Sequence, residues 1–483
     1  MKHHHALPVG AFLLVVAALP WPNRVQAQVE SAATSLPASP PARLELRGSS
    51  EQAKMLFREA IFETQNVAGA ERIRRAIDSA VKLAPQLTIA RVYQAFTGPG
   101  TAEVRAQAIS DLMSTMVSAP PAELLLALYW RETAAGRAPA AVPVLRALTE
   151  LVPGEVEIAW MYVNAQVVGK PVAEQISMRR EFIKKYPTYA AAHNTVAYQL
   201  AATDMEGALQ EIREYVRLAP THPNSHDSYA DLLLLQGKPA DALAHVQREM
   251  ELDPQFTAGP MKLGAIHLMM GDAAKARTVF ASEQEKFADP AVKRDFTYWT
   301  VASYASTGDV KNARTALMTI LATDLTPPQT AVVHERLAAI EAYLGDRKAV
   351  VGHLTASDVG TPPAAHFALK AVVLARINEL EQARAAAKQF TSMVPPANTF
   401  PRVLNAYIAM QAKDLATAES ELTASTTTDL FTKAIRADLL QRKGQKSESA
   451  VLRQEISSSS IKLDGNAPVD FLKLMAKMHV DKL

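Results

Sequence analysis

Ten prolines cut this chain into intervals of nearly constant length. Pro85, Pro120, Pro153, Pro187, Pro220, Pro254, Pro290, Pro328, Pro363 and Pro396 stand 35, 33, 34, 33, 34, 36, 38, 35 and 33 residues apart. A repeat of that size implies stacked supersecondary units, because one unit is too short to enclose a core of its own. Midway between the prolines, Gly136, Gly169, Gly237, Gly271, Gly308, Gly345 and Gly444 sit in short polar turns. Asp204, Asn378 and Lys413-Asp414 hold that place where glycine is absent. Glycine and asparagine supply the left-handed conformation that ends a helix, and proline stops the next one. Each period therefore predicts helix, tight turn, helix, proline. Apolar residues recur at helical rather than alternating spacing, so the expected fold is all-α without strands.

Small residues keep fixed offsets from the turns. Ala141, Ala242, Ala276, Ala313, Ala383 and Ala418 lie five after them, and Ala230, Gly264, Ala338, Ala371, Ala406 and Ala437 seven before. Such pairs let two antiparallel backbones approach closely, while larger residues such as Leu233, His267, Tyr304, Leu374 and Leu440 fill the remaining gap. With these residues in place, the segment 223–254, PNSHDSYADLLLLQGKPADALAHVQREMELDP, resembles a tetratricopeptide repeat. So does the next, through Leu263-Gly264, Gly271-Asp272, Ala276 and Phe280. The resemblance is strongest over 188–350 and degenerate but in register over 50–187 and 351–463. It implies a right-handed α-solenoid (superhelix) of about 11 or 12 helix-turn-helix repeats. The usual tryptophan of the first helix is missing, and His193, His226 and His334 stand near its place. The longer intervals ending at Pro290 and Pro328 mark where a kink or widened groove is expected.

The ends read differently. Residues 1–27 have the form of a secretory signal, with Lys2, the apolar run Ala6–Trp21 and small residues before a cleavage position near Ala27. Residues 28–49 read as a flexible linker rich in Pro, Ala and Ser. Residues 464–483 hold an amphipathic stretch expected to cap the last repeat. With no composition shift between 50 and 463, a continuous array is expected there. The chain contains no cysteine, which excludes a lipobox, disulfides and thiol chemistry. The expected location is the bacterial periplasm or the medium, with no stable membrane insertion.

Composition and motifs argue against several functional classes. With 51 basic and 49 acidic residues, no net field favours nucleic acid. His334-Glu335 opens an HExxH-like string, but Ala338 replaces the second histidine, so the zinc-protease reading fails. His222 and His226 are four apart, yet Pro223 interrupts the helical spacing a metal pair would need. No nucleophile elbow, phosphate loop or dinucleotide fingerprint occurs. Neither a catalytic residue nor a cofactor is expected.

In arrays of this kind the first helices line the concave surface. Counting ten, six and three residues back from each turn selects Trp130, Asn194, Tyr198, Asp227, Asp231, Met261, Tyr298, Glu335, Val403, Tyr407 and Met410, with Phe400 one turn earlier. Asn194 or Asn224 would bond the backbone of a bound peptide. This stripe is aromatic, methionine-bearing and slightly acidic, with hardly any Lys or Arg. It disfavours a carboxylate clamp and suits an extended neutral or basic peptide. The expected function is a non-catalytic protein-interaction scaffold of the cell envelope. The alternative is a polysaccharide-binding or export accessory protein, using Trp130, Tyr198 and Tyr407 to stack on sugars. An enzyme with an unrecognised site is the remote third reading.

Overall fold

A computed structural model describes residues 43–47, 50–66 and 70–458. The signal-like stretch 1–27 and the expected capping segment 464–483 lie outside the described residues. Within them the chain forms 24 helices and no strand, arranged as consecutive antiparallel pairs. The first pairs are α1 (Glu51–Gln65) with α2 (Ala70–Leu83), α3 (Thr88–Thr97) with α4 (Ala102–Ser114), and α5 (Pro121–Ala134) with α6 (Ala138–Leu151). Then come α7 (Val156–Gln166) with α8 (Val172–Lys185), α9 (Ala190–Leu200) with α10 (Met205–Leu218), and α11 (Pro223–Leu235) with α12 (Pro239–Leu252). They are followed by α13 (Ala258–Met269) with α14 (Ala273–Gln284), α15 (Pro290–Ser306) with α16 (Val310–Leu321), and α17 (Pro327–Leu344) with α18 (Arg347–Ser357). The last are α19 (Ala364–Arg376) with α20 (Leu380–Met393), α21 (Phe400–Gln411) with α22 (Leu415–Thr423), and α23 (Leu430–Arg442) with α24 (Lys446–Ser458).

The turn chemistry is built from two adjacent residues. The first is left-handed: Gly271 has φ +84°, Gly308 +73° and Gly345 +86°, and Asn378 and Lys413 both take +64°. The residue after it donates its N–H back to a carbonyl five positions earlier, closing the first helix. Asp272 reaches His267 at 2.8 Å, Asp309 reaches Tyr304 at 2.9 Å, and Asp414 reaches Ala409 at 2.9 Å. The same aspartates then cap the second helix, their carboxylates accepting from the N–H of Lys275, Asn312 and Thr417. Thus Gly-Asp or Lys-Asp ends one helix and starts the next. The turn at Asp204 departs from the expected form. Its Asp204 has φ −145° and only the capping half of the device is kept.

The small residues do what their offsets predict. Ala230, Ala338, Ala371, Ala406 and Ala437 are fully buried, and so are Ala242, Ala313, Ala383 and Ala418. The 38-residue interval ending at Pro328 is taken up by extra helix, α15 having 17 residues, whereas the 36-residue interval ending at Pro290 holds α13 and α14 of 12 residues each and has its extra length in the connections.

The described chain falls into two compact units. The first runs through Leu232 and takes in Arg248–Phe256; the second holds Leu233–Gln247 and the chain from Thr257 onward. Within each, consecutive first helices touch: α3 with α5 in the first unit, and α13 with α15, α17 with α19, α19 with α21 and α21 with α23 in the second. No consecutive second helices come together comparably among the described residues. The second unit therefore curves with its first helices on the inner side, as stacked helix pairs do.

Residues 43–47, counted in the linker on composition, are not solvated. They are extended, with Leu44 and Leu46 buried and Arg43, Glu45 and Arg47 exposed. Their alternating apolar side chains join the core of the first unit, which a Pro/Ala/Ser count does not register.

Candidate interaction surfaces

In the first unit, α9 and α11 share a polar contact that reaches solvent. The Tyr198 hydroxyl donates to Asp231 at 2.7 Å, joining two successive first helices. Tyr198 is 41% exposed. Its phenol is nevertheless pushed well above the usual tyrosine range, first by desolvation and then by Asp231 and Asp227. Asp227 and Asn194 nearby are buried, and Asn194 Oδ1 has no hydrogen-bond partner within the protein.

Other expected groove residues are packing groups. Trp130 is 2% exposed and enclosed by Phe57, Tyr93 and Phe96, with ring centroids 6.1, 4.6 and 6.2 Å away. Asn224 is buried and donates to the Tyr215 hydroxyl at 3.1 Å, so it serves the core and not a ligand backbone. In the second unit Val403, Tyr407 and Met410 are buried between repeats. Phe400 lies between Phe390 and Phe431, at 5.8 and 6.3 Å. The residue-counting rule finds the side of the helix that faces the next repeat as readily as the side that faces solvent. Where repeats press together, aromatic residues at those offsets become core.

Met261 is half-buried against the cluster of Phe280, Phe296 and Trp299. Tyr298 is half-buried, and the Arg336 guanidinium lies over its ring, 4.2 Å from the centroid. Arg376 does the same to Tyr343 at 3.6 Å and donates to the Ala342 carbonyl at 3.2 Å. These arginines were missed in the sequence, where the stripe read as nearly free of cations. They fall outside the counted offsets. An arginine following an aromatic by one repeat is the pattern that would have found Arg336, which lies 38 residues after Tyr298. Beside this pair, desolvation raises Asp295 to about 6, partly offset by Arg294.

Glu335 takes part in a buried histidine clamp. His366 Nδ1 lies 3.2 Å from Glu335 and its Nε2 3.0 Å from Asp358, which Lys370 also contacts at 2.6 Å. The bond to Glu335 outweighs burial and raises the His366 pKa, with Asp358 adding to it. The folded state thus holds this proton more tightly than the unfolded chain. The stabilisation is complete below the ordinary histidine value near 6.5 and is lost as pH rises through the raised folded value. The difference in melting temperature between wild type and His366→Gln is therefore expected to shrink from pH 6 to pH 8.5 in calorimetry. A difference that stays constant would mean that His366 acts only by packing.

Five other described histidines are held by protein groups. His193 Nδ1 pairs with Glu211 at 2.7 Å, His226 Nε2 with the Pro220 carbonyl at 3.0 Å, and His334 with His353, Nδ1 to Nδ1, at 3.0 Å. His222, just before α11, pairs with Glu63 of α1 at 2.9 Å. Among the described residues no three His, Cys, Asp or Glu are grouped to hold a metal ion. Nor is any described helix long and apolar enough to cross a membrane.

No protein-family model and no curated protein sequence matches this chain. Solved structures similar to it include a tetratricopeptide repeat protein of Thermus thermophilus, at 17% identity. That match covers 37% of this chain and 98% of that one, with a TM-score of 0.31. A tetratricopeptide repeat protein from Parabacteroides merdae is 13% identical, covering 60% and 98%, with a TM-score of 0.38. The Cut9–Hcn1 hetero-tetramer of the APC/C is 14% identical, covering 81% and 76%, with a TM-score of 0.43.

Proposed function

We propose that this protein is a non-catalytic scaffold of the bacterial cell envelope that binds an extended segment of a partner protein along its first helices. The observation that carries this reading is the Tyr198–Asp231 pair. It presents an accessible aromatic face and a carboxylate on two successive first helices. An aromatic face takes an apolar or cationic side chain, and the carboxylate accepts backbone or basic donors. The export reading rests on the signal-like residues 1–27. A polysaccharide ligand has less support, because Trp130 and Tyr407 are buried and offer no ring face to a sugar.

The test uses purified protein and envelope extract of the source organism. Wild type is expected to retain a discrete set of partners. Combining Tyr198→Ala with Asp231→Ala should weaken them at least tenfold, while the melting temperature changes little, as for most accessible sites. A folded double variant that retains every partner would refute the reading.

A further inference from the structure

The extended residues 43–47 lie across the first unit as a ligand would. The Leu44 N–H donates to Glu155 Oε1 at 2.8 Å. Its carbonyl accepts from Arg58 Nη2 at 2.7 Å, and Arg58 Nη1 binds the same Glu155 oxygen at 2.8 Å. Both backbone groups of one extended residue are thus read by side chains. Further along, the Arg47 guanidinium donates to Ser118 Oγ at 2.6 Å, and Arg47 lies near enough to Glu123 to pull its pKa down. Between them, Leu44 and Leu46 are buried in the cluster that holds Phe57, Leu126 and Ile158.

The register has a geometric basis. Glu155 is the N-cap of α7, and Glu123 lies in the first turn of α5. Three extended residues span roughly 10 Å, about one interhelical spacing of 8–10 Å. Running across the starts of α5 and α7, the segment passes a carboxylate at each. Charge follows the same logic: Glu123, Glu155 and Glu157 outnumber Arg58 in the wall, while the occupant carries Arg43 and Arg47 on either side of its leucines and Glu45 between them. Glu123 is buried, its pKa is raised by desolvation against the pull of Arg47, and one of its oxygens has no partner.

We propose that this channel is a docking site for an extended segment of another protein, with apolar side chains two residues apart and basic residues flanking them. The chain's own residues 43–47 occupy it when the partner is absent. The site uses none of the residues assigned above to partner binding, so it stands apart from that reading. Its own segment acts as a competitor, and displacing it opens the channel.

The test uses the full chain and a fluorescent peptide with the sequence of residues 41–49. Leu44→Asp with Leu46→Asp expels the resident segment, and anisotropy should show at least tenfold tighter peptide binding than to wild type. The same peptide with aspartate at both leucines should not bind. A folded variant that ignores the peptide overturns the proposal. So does a wild-type dimer that this variant breaks apart, since a second copy would then be the occupant. Should the variant fail to fold, hydrogen exchange on wild type decides. The Leu44 and Arg47 amides are expected to exchange at least a hundredfold faster than that of Ile61 in α1. Equal protection would make the segment a fixed part of the core and overturn the proposal.

Discussion

Trp130→Ala is expected to destabilise the first unit by about 3–5 kcal/mol, the usual range for deleting a buried large aromatic. The residue is 2% exposed and sits among three rings contributed by α1 and α3, so the cavity would open where three helices meet. Those neighbours sit on two helices that cannot both close inward, which places the cost toward the upper end. Urea unfolding followed by circular dichroism measures it. A loss below about 1 kcal/mol would contradict the packing role, since that is what an accessible site gives.

Gly264→Ala should also be destabilising, although alanine is the better helix former by about 1 kcal/mol. A Cβ at position 264 would stand 2.0 Å from Phe280 Cε1 and 2.4 Å from its Cζ. The ring has nowhere to go: it is fully buried, 6.0 Å from the Trp299 ring and 6.4 Å from that of Phe296. Overpacking of this kind costs about 1–3 kcal/mol, so the net sign is set by the clash and not by propensity. Phe280→Leu introduced with Gly264→Ala should recover part of the loss, a coupling that a double-mutant cycle reads directly. If Gly264→Ala raises the melting temperature instead, the close approach of α13 and α14 is wrong.

The repeats were legible because their signals are local. A left-handed residue followed by aspartate closes one helix and caps the next within six residues, and small residues at fixed offsets follow from helix geometry alone. The division near Leu232 was not legible, since it depends on which distant helices meet. Glu63 illustrates this: it lies in α1 but contacts His222, 159 residues away, at 2.9 Å. Burial would raise the Glu63 pKa, but His222 and Arg72 outweigh it and hold the carboxyl below its usual range. Such pairings carry no spacing that a repeat would betray. The same limit explains the candidate surface. Offsets placed Tyr198, Asp231 and Tyr298 where solvent or a cation reaches them, yet they placed Trp130, Tyr407 and Met410 equally, and neighbouring repeats cover those three. Residues 43–47 were hidden for a further reason, because a five-residue extended segment has only two leucines to announce it.

The central claim is that a partner docks on the first helices at Tyr198 and not on the second helices of the same unit. Site-specific photocrosslinking in the source organism tests it, with a benzophenone amino acid at position 198 or at position 104. Val104 is 57% exposed on α4, a second helix, and supplies the control. A defined adduct at 198 that disappears with Asp231→Ala, with none at 104, is the predicted result. No adduct at 198, or the same adducts at both positions, would contradict it.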